Sequence, residues 1–123
     1  MQNCNSKFKS DLINRCYKFS LDILALADAL PNKKSSWIIN DQLIRSATSI
    51  GANLVEGKAA SSRLEFKKFF EIALKSANES IYWLNLLKDT DLGDKEIIIK
   101  LLKENEEIAK MLAAGVLKLK RKF

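Results

Sequence analysis

A single proline, Pro31, and four glycines punctuate a chain of 123 residues. So little turn-forming material disfavours many short strands and favours a few long helices. At about 100° per residue, Phe8, Leu12, Cys16, Phe19, Ile23, Leu26, Ala27 and Leu30 fall within about 100° of one another on a helical wheel. Pro31 closes this first segment, and Asn32 to Ser36 reads as a loop. Cys16 lies inside the stripe and reads as a small core hydrophobe rather than a reactive thiol.

The second segment begins between Ser36 and Asn40 and ends at Gly57. Its core stripe is Ile39, Leu43, Ala47, Ile50 and Leu54. A second apolar stripe, Trp37, Ile44, Thr48, Gly51 and Val55, lies about 100° away. Other helices of the chain or a neighbouring subunit would cover it. Gly51 permits a close backbone approach or a bend. Ser62 with Glu65 three residues on is a capping-box signature opening the third helix. Its stripe is Phe66, Phe69, Phe70, Ala73, Ala77, Ser80, Ile81, Leu84 and Leu87, with Ile72 and Trp83 on one flank as a second contact surface. Glu71 is spaced to pair with Lys75 on the outer face.

Asp94 is the expected N-cap of the last helix. That helix places Ile98, Leu101, Leu102, Asn105, Ala109, Leu112, Val116 and Leu119 on one face. Ile97, Ile108, Met111 and Gly115 form a flanking strip. Asn105 inside the apolar stripe would either fix register or reach a backbone carbonyl. Four such helices with short connections predict an all-α, antiparallel up-down-up-down four-helix bundle. It would be one domain over 1–123, with a short N-terminal extension (1–6) and a basic C-terminal end (118–123).

Composition narrows the chemistry. Histidine is absent, which excludes His-based triads, His metal ligands and imidazole bases. Two cysteines, Cys4 and Cys16, are too few for a Cys-only zinc site or a disulfide framework. Gly51 and Gly57 do not form a phosphate-binding loop. Glu104, Glu106 and Glu107 read as a solvated helix surface rather than a cation site. No catalytic residue, metal or cofactor is expected, and the chain is not expected to be an enzyme. No segment reaches the roughly 18 apolar residues that span a bilayer. The start lacks a charged stretch followed by an apolar run, so a cytoplasmic protein with free thiols is expected.

Lys plus Arg outnumber Asp plus Glu by 21 to 15, for a net charge of +6. The excess is uneven: Lys118, Lys120, Arg121 and Lys122 close the chain with no acid among them. Cation-rich surfaces favour polyanionic partners because phosphate contacts release counterions. The tail cations equally suit a solvated helix end that complements the helix dipole. Opposite the core stripe of the second helix, Arg45, Ser49, Asn53 and Glu56 share about 80° of the wheel. Subunit or helix contacts, nucleic acid and plain solvent all remain open for this stripe.

Two blocks carry a resemblance. Arg45-Ser46-Ala47-Thr48-Ser49-Ile50-Gly51-Ala52-Asn53-Leu54-Val55-Glu56-Gly57 is similar to the signature R-x-A-x-S-I-x-x-N-x-x-E-G of the 23S ribosomal RNA intervening-sequence proteins. Glu65-Phe66-Lys67-Lys68-Phe69-Phe70-Glu71-Ile72-Ala73-Leu74-Lys75-Ser76 resembles that family's E-F-x-x-F-x-x-x-A-x-x-S block. The order of the blocks and the Leu30-Pro31 ending of the first helix match as well. Two departures are Gly51, where relatives often carry proline, and a Lys58-Ala59-Ala60-Ser61 segment less glycine-rich than is usual.

The resemblance implies an antiparallel four-helix bundle that assembles as a homopentameric ring with a basic central opening. Related accessory proteins of diversity-generating retroelements bind nucleic acid and contact a reverse transcriptase. The expectation is therefore a non-enzymatic homo-oligomer that contacts RNA or DNA phosphates. The candidate contacts are Arg45, Lys58, Arg63, Lys67, Lys118, Lys120, Arg121 and Lys122. Lys67 and the adjacent Lys68 also read as solvated helix residues. Trp37, Ile44, Ser49, Asn53, Val55 and Glu56 are the expected subunit interface. The alternative is a scaffold whose apolar stripe binds another protein, such as a reverse transcriptase, with incidental basicity and no membrane partner.

Overall fold

Helices end where local chemistry ends them. In a computed structural model that describes residues 3–121, four helices run over Asn3–Ala29 (α1), Lys34–Lys58 (α2), Arg63–Lys88 (α3) and Lys95–Arg121 (α4). No strand occurs among the described residues. The expected N-terminal extension is helical from Asn3 onward, since neither glycine nor proline interrupts it. Met1, Gln2, Lys122 and Phe123 lie outside the described residues. α2 starts at Lys34, before the expected Ser36, and Lys33 caps it with extended backbone and no side-chain bond.

The other two starts follow their capping residues. Ser62 Oγ accepts from the Glu65 amide at 3.1 Å. The Glu65 carboxylate turns back to the Ser61 amide at 2.8 Å, one residue before the expected Ser62. Asp94 Oδ1 accepts from the amides of Glu96 and Ile97 at 3.0 and 3.4 Å. Each such cap is worth about 1 kcal/mol.

Each helix packs on two neighbours: α1 on α2, α2 on α3, α3 on α4 and α4 on α1. Leu12, Cys16, Phe19 and Ile23 from α1 meet Leu43, Ala47 and Ile50 from α2 in one core with Ala73, Ala77 and Leu84 of α3 and Ile98 and Leu112 of α4. Full burial stabilises by about 1.5–3 kcal/mol for each large apolar side chain. Ile108, expected on a flank, is fully buried in that core, whereas Ile97 is exposed. The flanking strip of α4 is thus divided: Gly115 faces Phe70 of α3, whereas Ile97 lines an open groove beside α1.

Asn105 reaches a backbone carbonyl, one of the two expectations. Its Nδ2 donates to the Ala77 carbonyl at 3.1 Å, and its Oδ1 accepts from Ser80 Oγ at 2.8 Å. All three residues are buried, so the bonds tie α3 to α4 in one register. Two glycines permit close approaches. A Cβ on Gly51 would stand 3.3 Å from Cys16 Cβ, and one on Gly115 would stand 2.3 Å from the Phe70 ring.

Two expectations about surface charges need correction. Glu71 pairs with Lys67 at 3.4 Å rather than with Lys75. Glu106 and Glu107 are exposed as expected, but Glu104 is half-buried, and Arg15 of α1 binds both Glu104 and Glu107. That partner lies 89 positions from Glu104 and is invisible to a wheel drawn for α4 alone.

Candidate nucleic-acid interface

The packing gathers most of the candidate cations at one end of the bundle. Lys58, in the last turn of α2, donates to Ser10 Oγ of α1 at 3.4 Å. Gly57 faces Phe66 and Phe69 in the opening turns of α3, and Phe70 reaches Gly115 near the close of α4. Lys9 of α1 lies over the Phe66 ring at 4.2 Å. Lys58, Arg63, Lys118 and Lys120 therefore lie towards the same end of the bundle, and all four are exposed.

The remaining candidates divide. The Lys67 side chain is only 18% exposed and is paired with Glu71, whereas Lys68 beside it is exposed. Arg45 stands about 20 Å further along α2, 3.9 Å from Asp41 and 63% exposed. Arg121 ends α4, and Lys122 lies outside the described residues. Lys7, Lys9 and Lys68 belong to the same end and were not among the candidate contacts. Lys7 is paired with Asp11 at 3.7 Å. The signal for Lys7 and Lys9 was available: pairing the start of one helix with the end of the next places α1's first turns beside Lys58.

The expected subunit-interface residues separate in the same way. Trp37 and Val55 are 59% and 53% exposed, and Glu56 is exposed too. Trp37 Nε1 donates to Asn32 Oδ1 at 2.6 Å. Ile44 is half-buried against the core. Ser49 and Asn53, by contrast, are engaged inside the chain. Ser49 Oγ meets Ser76 Oγ at 2.9 Å, and Asn53 Nδ2 donates to the Ser49 carbonyl and hydroxyl at 2.8 and 2.9 Å. Tyr17, Leu21 and Leu24 of α1 are also exposed. Their i, i+4, i+7 spacing off the core stripe could have identified them as a further apolar row.

Electrostatic perturbation concentrates away from the basic end. Arg15 donates from Nε and Nη2 to the two Glu104 carboxylate oxygens at 2.6 and 2.8 Å. It also binds Glu107, and its Nη1 lies 3.4 Å from Met111 Sδ. These bonds hold the Glu104 carboxyl below the usual range and raise the guanidinium further. Burial, with Glu104 adding to it, pushes the Cys16 thiol up to about 12. A neutral, buried thiol of this kind is a poor nucleophile. Among the described residues, no three His, Cys, Asp or Glu side chains gather as metal ligands would. No described helix is long and apolar enough to cross a membrane.

The family model for the 23S rRNA-intervening sequence protein matches residues 9–114. The chain belongs to this family. A 1.70 Å crystal structure of a protein with unknown function from the S23 ribosomal protein family of Bacteroides thetaiotaomicron VPI-5482 is similar over the same fold. It has a TM-score of 0.79 and 35% identity, and the match covers 85% of this chain and 97% of that one. No curated protein matches. The intervening-sequence match includes Lys58, Arg63 and Lys68 but stops before Lys118 and the cations that follow it.

Proposed function

We propose that this intervening-sequence family member is a non-enzymatic homo-oligomer that holds nucleic-acid phosphates at its basic end. The observation that carries the reading is the convergence of Lys58, Arg63, Lys68, Lys118 and Lys120, from three helices, onto one end of the bundle. Arg121 and Lys122 follow these cations in the sequence. Lys67 contributes less, because Glu71 already holds it. Exposed ammonium and guanidinium groups at helix ends can follow a phosphate backbone without reading bases. Ring symmetry would repeat the +6 charge of each chain and focus its field. RNA is the favoured partner in view of the family's name. A pentameric ring in the cytoplasm is the arrangement we assign.

We read the bundle as antiparallel, up-down-up-down. Lys58 beside Ser10 and Asn40 beside Ala27 support alternation of α1 and α2. Phe70 beside Gly115 and Ala77 beside Asn105 support it for α3 and α4. The subunit contact then falls on the exposed apolar residues Trp37 and Val55 with Ile44 at their base. Charging this face by Ile44→Glu should yield smaller particles with helicity retained. Unchanged particle size would remove the face from the interface.

The test is light scattering with structured RNA at about 50 and 200 mM salt, a range over which phosphate contacts weaken by orders of magnitude. Lys118→Glu combined with Lys120→Glu should lower affinity and flatten the salt dependence. Equal binding by the wild type and this variant would refute the basic-end assignment. A second reading, a protein-binding scaffold, is favoured by the exposed Tyr17, Leu21, Leu24 and Trp37. It predicts capture of a protein partner, such as a reverse transcriptase, with no binding of RNA.

A further inference from the structure

The four seams of the bundle are not equivalent. At the α1–α2 seam, Asn40 Nδ2 donates to the Ala27 carbonyl at 3.0 Å, and Gly51 lets the two backbones come close at Cys16. Ser49 and Ser76 link α2 to α3, and Ser80 and Asn105 link α3 to α4. The α1–α4 seam is the most sparsely packed. A groove of about 990 Å³ runs along it, with Phe19, Leu26 and Leu30 on one wall and Ile97 and Leu101 on the other. At the groove's border stands the Arg15 clamp on Glu104 and Glu107.

Chain connectivity points the same way. α1 and α4 are the first and last helices, so no loop joins them directly. Separating them leaves every connection and the other three seams intact. Ile97 is exposed and Leu30 only half-buried at the groove, so the seam forfeits part of its dispersion contact there, although Phe19, Leu26 and Leu101 are buried. A polar clamp open to solvent on one side adds only modest closure energy.

We propose that the bundle opens along the α1–α4 seam, with α1 swinging away from α4 while it stays on α2, and that Arg15 is the latch. The opening is a sub-global event distinct from unfolding. It bares Phe19 and Leu26 of α1, which line the groove and are buried in the closed bundle.

Cys16 packs on Gly51 at the seam that stays closed, so the reporter is a thiol placed at Leu26 on the groove wall. In the chain carrying Cys4→Ser, Cys16→Ala and Leu26→Cys, labelling by dithionitrobenzoate is followed at increasing urea, alongside global unfolding by circular dichroism. The expected result is labelling faster than global unfolding permits, with a weak dependence on urea at low denaturant. Arg15→Met should raise that labelling rate about tenfold, the equivalent of one lost charged hydrogen bond, with a much smaller shift in the urea midpoint. Arg15→Lys, which keeps the charge but loses the fork, should fall between. Labelling that tracks global unfolding at every urea concentration in the Arg15 wild type overturns the opening. A labelling rate unchanged in Arg15→Met overturns the latch.

Discussion

The α3–α4 seam and the α1–α4 seam share a helix yet are closed by opposite chemistry. Toward α3, α4 presents Asn105, whose amide bonds are enclosed and directed at Ala77 and Ser80. Toward α1 it presents Glu104 and Glu107, whose partner Arg15 is about a third exposed. An enclosed amide without its partners would carry the full cost of desolvation, so that seam has one acceptable register. The ion cluster is solvated in part and tolerates separation, since water can replace each partner. Polar contacts of similar length therefore do different work: one specifies geometry, and the other closes a seam that can reopen.

The largest predicted effect tests the tight seam through packing. Gly115→Val should destabilise by about 3 kcal/mol or more, because the first added carbon would stand 2.3 Å from the Phe70 ring. A urea midpoint within error of wild type would mean that Phe70 can move aside. Next comes Asn105→Ala, expected to cost about 1–3 kcal/mol by stranding polar groups in the core. Asn105→Leu combined with Ser80→Ala should recover most of that loss in stability but relax the α3–α4 register. Sharp, singly populated amide spectra from the double variant would break the comparison.

The smallest effects belong to the solvated clamp and its surroundings. Glu104→Gln should cost less than about 1 kcal/mol. The same contribution should fade in acid. Arg15 lowers the Glu104 carboxyl in the folded state, so its stabilisation is present above the ordinary 4.5 and is lost as pH falls below it. Cys16 works in the opposite sense. Its folded thiol is raised from 9.0 to about 12, so its contribution is full below pH 9 and is lost between about 9 and 12. Urea titrations of wild type and Cys16→Ala across pH 8–12 should converge at the alkaline end. A constant difference would show that the thiol ionises alike in both states.

Helices were the most legible feature because their causes are local. Pro31 stops α1, Ser62 and Asp94 cap the next starts, and apolar spacing selects the buried face of each wheel. Leu12, Leu43, Leu84 and Leu112 all reach the core from that pattern alone. The candidate interface was partly legible. Lys58, Arg63, Lys118 and Lys120 were nameable, but their convergence depends on which helix ends meet. Lys67 illustrates the limit: the sequence marks it as a cation, whereas packing covers it and pairs it with Glu71. Ser49 and Asn53 lie opposite the core stripe on the wheel, yet Ser76 of α3 reaches Ser49 and Asn53 bonds back to Ser49, while Arg45 and Glu56 of the same face stay exposed.

What the sequence by itself determined is the four-helix content, the core and two of the caps, together with membership of a family whose block motifs it carries. All of these follow from interactions within a few residues or from the period of the chain. Tertiary structure decided which polar side chains meet. Arg15 finds Glu104 across 89 positions, Asn105 finds Ala77 across 28, and the cations of three helices converge at one end. Such pairings depend on helix order and rotation, which are set by the packing of the whole core rather than by the spacing within any one helix.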